Sequence, residues 1–169
     1  MSATLQRDQA IALVKANPRK ALEKARRVSE PWFRAQALSW CARYTNEDPI
    51  PIAAQAAKAA SQGDDDYKRS AVRAWEIAAL AERECVARAR KSLKEALNLA
   101  KTVQPMSSRS EALLQLLQAA FAIHRDDAIA ARATLRGSCP VGEHWRCKRA
   151  VKDADKMVKG ELPPRNFFW

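Results

Sequence analysis

A cluster of potential metal ligands lies near the end of the chain. Cys139, His144 and Cys147 fall within nine residues, in the run Cys-Pro-Val-Gly-Glu-His-Trp-Arg-Cys. Two thiolates and an imidazole are ligands that Zn²⁺ prefers, and a fourth could come from Cys85 or His124. Zinc ribbons and knuckles, however, place their ligands in closely spaced pairs, and that pairing is missing here. The favoured interpretation is a turn between helices with incidental cysteines, without a metal or a cofactor.

The sequence offers little raw material for catalysis. It contains only two histidines, and it has no His-Glu-x-x-His pair, no glycine-rich phosphate loop and no nucleophile elbow. Glu76 and Glu82 could lie near a buried stripe and act as acids. They are more simply explained as partners of Arg69, Arg73 or Arg83 on helix faces. We therefore predict that the protein is not an enzyme.

Basic residues are the stronger candidates for binding. The chain has 30 Lys and Arg against 19 Asp and Glu, a net charge of +11, which favours contact with phosphates or acidic proteins. Two basic rows stand out, Arg19, Lys20, Lys24 and Arg27 in one predicted helix and Arg88, Lys91 and Lys94 in another. Trp32, near the first row, falls on the polar side of its helix with Gln36, Ser39 and Arg43. It could stack on a base, anchor an interface, or simply cover the turn at Pro31.

Composition and the spacing of apolar residues predict an all-α protein. Only 4 glycines occur, beside many Ala, Leu, Lys, Arg and Glu, and this composition favours helices over strands. Asn17-Pro18 is typical of a helix start, since Asn caps and Pro suits the first position. The predicted helices cover residues 4–16, 18–28, 32–45, 52–61, 67–82, 84–103, 109–123, 126–136 and 144–159.

The sequence also repeats itself. Ala21-Leu22, Ala25, Val28, Arg34 and Ala37-Leu38 recur 75 residues later as Ala96-Leu97, Ala100, Val103, Arg109 and Ala112-Leu113. A fixed displacement is typical of a helical array in which each helix pair stacks on the next. We therefore expect an α-solenoid, a right-handed superhelix of about four antiparallel helix pairs. Arg34 and Arg109 are expected to bond carbonyls or a carboxylate at the end of the preceding helix.

The second helices of three units share a core, Phe33-Arg34-Ala-Gln-Ala37-Leu38, Lys68-Arg69-Ser-Ala71-Val72 and Arg109-Ser-Glu-Ala112-Leu113. This core resembles the inner-helix signature of HEAT-like repeats, where an Arg near the helix start precedes an Ala-Leu pair. The Asp expected in the turn occurs only around Asp64–Asp66. Tetratricopeptide repeats rank second, because their Trp, Gly and Tyr pattern is missing. The resemblance implies a concave surface of the kind that usually binds proteins and sometimes nucleic acids, and it implies no activity.

The end of the chain differs in composition from the rest. We expect residues 1–161 to form a single helical-repeat domain and residues 162–169 to form an aromatic tail. Pro163-Pro164 stiffens the approach to Phe167-Phe168-Trp169, whose rings are costly to leave in water. Phe168 and Trp169 are expected to dock on the last helices, or on a second copy to give a homo-oligomer.

Sparse cysteines and the lack of a signal-peptide layout predict a cytoplasmic protein with reduced thiols. The run from Ala112 to His124 is too short to span a bilayer, so no membrane association is expected. Taken with the repeats, these features predict a non-enzymatic interaction module for a protein partner. The alternative is binding of a nucleic-acid phosphate backbone through the basic helix faces.

Overall fold

The computed structural model describes residues 1–140 and 144–169, and the regular secondary structure of these residues is entirely helical. The predicted all-α class is therefore confirmed. The helices are α1 (Ala3–Ile11), α2 (Pro18–Arg26), α3 (Pro31–Tyr44), α4 (Ile50–Ser61), α5 (Asp66–Ala71), α6 (Arg73–Glu82), α7 (Val86–Ala100), α8 (Met106–Ile123), α9 (Arg125–Ser138) and α10 (Trp145–Lys159). Each of them is too short or too polar to cross a membrane.

Short polar side chains fix several helix starts. Asn17 accepts a hydrogen bond from the Lys20 N–H at 3.0 Å, and Asp65 accepts one from the Lys68 N–H at 2.8 Å. These bonds satisfy backbone donors that have no partner inside the helix. The start expected at Asn17-Pro18 is thus present.

Four helices form a central row, in which α3 contacts α6, α6 contacts α8, and α8 contacts α10. The other helices flank this row. α2 and α4 pack against α3, α7 packs against α6 and α8, and α9 packs against α8 and α10. The largest buried side chains lie in or beside the central row, among them Ile77, Leu80, Leu113 and Leu116.

The prediction that Gln36 and Ser39 lie on a polar side of α3 is wrong. Gln36 and Ser39 are buried, because α1, α2, α4 and α6 all pack against this helix. Both residues have partners there. Ser39 Oγ donates to the Ala35 carbonyl oxygen at 2.8 Å, and Arg7 Nη1 donates to Gln36 Oε1 at 2.8 Å. Buried polar groups of this kind are tolerated when they are hydrogen-bonded.

Three arginines make the same bond at three places in the molecule. Arg34, Arg69 and Arg109 each donate to the carbonyl oxygen six residues earlier, at Val28 (2.8 Å), Gly63 (2.7 Å) and Val103 (2.9 Å) respectively. These carbonyls lie just after α2, α4 and α7. Arg34 also donates to Gln62 after α4, and Arg109 to the Ser138 carbonyl oxygen at the end of α9. The expected carbonyl bonds of Arg34 and Arg109 are therefore present.

The aromatic tail belongs to the core. Phe168 is only 4 % exposed, and its ring packs edge-on against Trp40 of α3 with centroids 5.2 Å apart. Phe167 packs in the same way against Trp75 of α6 at 5.3 Å. The expectation that the tail docks on the last helices is wrong, because its phenyl rings lie on α3 and α6. Contact with a second copy was the other expectation for the tail. Phe168 is buried within its own chain, so of the two residues expected to make that contact only Trp169, which is 76 % exposed, is accessible.

Candidate functional site

The C-terminal tail lies on the central row without helical structure. Residues 162–169 contain no helix, and they cross α8, α6 and α3 in turn. The Arg165 N–H donates to Gln118 Oε1 of α8 at 2.9 Å, and the Arg165 guanidinium lies 4.7 Å from the Trp75 ring centroid. Trp169 lies edge-on to Trp40 at 4.6 Å. Both main-chain and side-chain groups of the tail are thus recognised by helix side chains.

Beside the tail is an open groove between α5, α8 and α10, with a cavity volume of about 240 Å³. Its lining residues are Tyr67, Glu111, Leu114, Gln115, Gln118, Arg146, Arg149, Ala150 and Asp153. Two ion pairs lie along its walls, Arg146–Glu111 and Arg149–Asp153, each with a nitrogen–oxygen distance of 3.7 Å. Gln118 is shared with the tail, so the open groove continues the surface that the tail occupies.

A second opening, the Trp32 cleft, lies at the starts of α3 and α5 and has a volume of about 400 Å³. The Trp32 ring stacks on Tyr67, with centroids 6.0 Å apart and an interplanar angle of 11°. The other residues that line the Trp32 cleft are Glu30, Phe33, Asp64 and Lys68. Because Tyr67 lines both openings, the Trp32 cleft and the open groove are adjacent.

Tyr67 keeps its proton over a wide pH range. Burial raises the pKa of its phenol, and the nearby carboxylates of Glu111 and Asp65 raise it further. A protonated phenol both donates and accepts a hydrogen bond. Tyr67 can therefore offer a ring face and a hydroxyl to a ligand in either opening.

The predicted basic rows lie on two flanking helices with different neighbours. α2 packs against α1 and α3, whereas α7 packs against α5, α6, α8 and α9. Most of these side chains are exposed, while Lys24 and Arg88 are half-buried. Trp32 lies on α3, which packs against α2, and its cleft is lined by Glu30, Asp64 and Lys68. The two rows themselves lie on helices that pack against different sets of neighbours.

The Cys139, His144 and Cys147 side chains differ in their exposure. Within residues 1–140 and 144–169, His, Cys, Asp and Glu side chains form no group of three or more that could hold an ion. Both thiols are buried, and burial, with Cys147 nearby, raises the pKa of Cys139 to about 11. His144 is exposed, and its Nδ1 accepts the Arg146 N–H at 3.1 Å to cap α10. Residues 141–143 of the predicted turn lie outside the described residues.

The two candidate acids have structural partners. Glu76 is buried between α6 and α7, where it accepts from Arg73 Nε at 2.9 Å and from Ser92 Oγ at 2.7 Å. Glu82 pairs with Arg43 of α3. Arg83, one of the expected partners, instead donates to the backbone carbonyl oxygens of Ala42, in the last turn of α3, and Thr45, just after it. Neither carboxylate lines the open groove or the Trp32 cleft.

Sequence reasoning missed Tyr67 as a candidate, although a signal for it exists. Trp32 stands two residues before the repeated Arg34, and Tyr67 stands two residues before the repeated Arg69. Aligning the repeats on their arginines therefore brings these two stacked rings to the same position. Gln118 and the lining residues of α10 carry no comparable signal, because their importance depends on where the tail lies.

No family model, curated protein or solved structure matches this sequence. The site is accordingly interpreted from its own geometry.

Proposed function

We propose that this protein is a non-enzymatic interaction module whose central row binds an extended segment of a protein partner. In this proposal the fold is a HEAT-like α-solenoid, a right-handed superhelix of about four antiparallel pairs. The pairs are α2–α3, α4 with α5–α6, α7–α8 and α9–α10. The serial contacts of the central row and the recurring arginine bonds support such an array.

The observation that best supports the proposal is the position of the tail on the central row. A segment without helix lies across α8, α6 and α3, with its rings against Trp75 and Trp40 and its backbone bonded to Gln118. The surface is therefore suited to a peptide that presents aromatic side chains and backbone donors. Extended peptides bind other proteins through the same combination of main-chain bonds and side-chain pockets.

The partner would occupy the open groove and the Trp32 cleft, which the tail leaves free. Tyr67 would be central, because its ring borders both openings. Aromatic side chains at the centre of an interface often contribute most of the binding free energy. The paired charges of Glu111, Arg146, Arg149 and Asp153 would select a segment carrying both signs of charge.

Selection from a library of random peptides displayed on phage would test this proposal. The full chain serves as bait, and fluorescence anisotropy then measures the affinity of the enriched peptides. Tyr67→Ala should weaken them by about tenfold or more, as expected for loss of a central aromatic contact. Lys58→Ala, on the exposed side of α4, is the matched control and should bind like the wild type. Failure to enrich any peptide, or equal affinities for the two variants, would contradict the proposed function.

Phosphate-backbone binding through the predicted rows is the alternative proposal. On α2 it is supported by the exposed Arg19, Lys20 and Arg27, with the Glu23 carboxylate 3.8 Å from Arg19 Nε. This proposal is the weaker of the two, because the rows of α2 and α7 lie on helices with different neighbours.

A further inference from the structure

One side of α10 carries lysines in a straight line. Lys148, Lys152, Lys156 and Lys159 follow one another at intervals of four, four and three residues, and all four are exposed. Residues at these intervals lie on the same side of a helix. With a rise of about 1.5 Å per residue, this lysine stripe is about 16 Å long.

The opposite side of α10 is fully used in packing. Its buried residues are Cys147, Ala150, Val151, Ala154, Met157 and Val158, and the helix packs against α8 and α9. The lysine stripe therefore faces outward because the apolar side fixes the rotation of the helix.

Carboxylates do not neutralise the lysine stripe. Within the described residues, none of its four ammonium groups lies within 4.0 Å of a carboxylate oxygen. The acids of α10 are engaged elsewhere, since Asp155 pairs with Arg136 of α9 at 2.5 Å and Asp153 with Arg149 at 3.7 Å. The stripe thus presents four ammonium groups without a direct carboxylate partner among the described residues.

An exposed tryptophan stands at the head of the lysine stripe. Trp145 precedes Lys148 by three residues, so it lies on the same side of the helix, and it is 60 % exposed. The His144 ring is stacked beside it at 5.9 Å, and the Arg146 guanidinium lies 5.4 Å from its centroid. A large ring that packs so little against the core is available to a ligand.

We propose that the lysine stripe and Trp145 form a binding site for single-stranded nucleic acid. The lysines would contact successive phosphates, because four residues of helix advance by about 6 Å, which is comparable to the phosphate spacing of an extended strand. Trp145 would stack on an unpaired base, as aromatic side chains do in proteins that bind single strands without sequence preference. A duplex covers the faces of its bases and could use only the charges.

A membrane surface fits this helix less well. Basic helices that lie on bilayers insert an apolar side opposite their charges. On α10 that side is occupied by α8 and α9. Neither Trp145 nor the four lysines line the open groove or the Trp32 cleft, so failure of this site would leave the proposed function standing.

Anisotropy titrations of labelled oligothymidine with the full chain, at several salt concentrations, would test the site. Lys152→Ala with Lys156→Ala should weaken binding and reduce the slope of log K against log salt by about 1.4, since each lost phosphate contact removes about 0.7 for a single strand. Trp145→Ala should weaken binding about tenfold without changing this slope. Trp145→Phe should restore most of the affinity.

The matched control removes two exposed lysines that belong to neither predicted row, as Lys58→Ala with Lys101→Ala, and should leave both quantities unchanged. Circular dichroism of each variant checks that the fold is intact. An equal loss in the Lys58→Ala, Lys101→Ala control would overturn the proposal in favour of diffuse attraction by net charge. Tighter binding of duplex than of single strand, unchanged affinity in Trp145→Ala, or a preference for vesicles of anionic lipid would also overturn it.

Discussion

At the scale of single residues, burial determines which side chains can react. Burial raises the pKa of the Cys41 thiol to about 12, against the opposing effect of Arg26. Cys139 and Cys147 are also buried, whereas Cys85, just before α7, is half-buried. Because the thiolate is the reactive form, a raised pKa and poor access both slow modification.

We predict that iodoacetamide at neutral pH modifies Cys85 first. Cys41 and Cys139 should react only after unfolding or at strongly alkaline pH, since their thiolates form as the pH approaches about 12 and about 11 respectively. Peptide mass spectrometry of timed samples would measure the rates. Cys85→Ser should remove the fast reaction, and guanidinium should expose all four thiols. Modification of Cys41 as fast as that of Cys85 in the native protein would contradict the burial described above.

Residue environments differed in how far the sequence could predict them. The bonds of Arg34 and Arg109 were predictable, because a residue that recurs with the repeat has a partner that recurs too. Gln36 and Ser39 were not, since their burial depends on four other helices that surround α3. Periodicity within one helix cannot report how many neighbours that helix has.

At the scale of elements, the repeated arginines connect flanking helices to the central row. Arg109 of α8 joins the carbonyl oxygen of Val103, after α7, to that of Ser138, at the end of α9. These carbonyls lack partners within their own helices, so a guanidinium with several donors satisfies two helix ends at once.

Arg109→Ala should therefore lower the free energy of unfolding by about 1–3 kcal/mol, as expected when charged hydrogen bonds to half-buried carbonyls are lost. Urea unfolding followed by circular dichroism would measure it. Arg90→Ala is the control. Its side chain is 53 % exposed and pairs with Asp127, and pairs of such exposed side chains contribute little to stability. Equal stabilities of the two variants would show that the bonds of Arg109 are not structural.

Most element boundaries were predictable to within three residues, but α1 ends at Ile11 rather than at residue 16, and backbone geometry interrupts one continuous apolar pattern. The stripe Ala71, Trp75, Ala78, Ala79 predicts one helix over residues 67–82, yet α5 ends at Ala71 and α6 begins at Arg73. At the junction, the Trp75 N–H bonds the Val72 carbonyl oxygen three residues back at 3.3 Å. Apolar spacing is unaffected by this local tightening, so the sequence carries no sign of it.

At the scale of the whole molecule, the tail joins distant parts of the chain. We predict that Phe168→Ala lowers the free energy of unfolding by about 3–5 kcal/mol, the range for truncating a buried aromatic side chain. Trp169→Ala should have a smaller effect, because that side chain is 76 % exposed. Thermal unfolding by calorimetry would compare the two variants. A Phe168→Ala protein as stable as Trp169→Ala would mean that the tail is not part of the core.

The position of the tail, and with it the open groove, could not be predicted from the sequence. Three adjacent aromatic residues predicted that residues 167–169 pack against an apolar surface, but composition does not identify that surface. The partner of Phe168 is Trp40, and that of Phe167 is Trp75. Contacts between residues so far apart in the chain depend on the assembled helices rather than on local pattern.

Because the tail packs against helices from the first half of the chain, the order of synthesis separates these contacts in time. Trp40 and Trp75 leave the ribosome long before Phe167 and Phe168, which cover them. At synthesis rates of about 5–20 residues per second, the wait between Glu82 and Phe168 lasts about 4–17 s. Throughout that interval Trp40 and Trp75 lack the contacts that Phe168 and Phe167 provide in the complete chain. Two tryptophans are thus open to other contacts before their own partners have been translated.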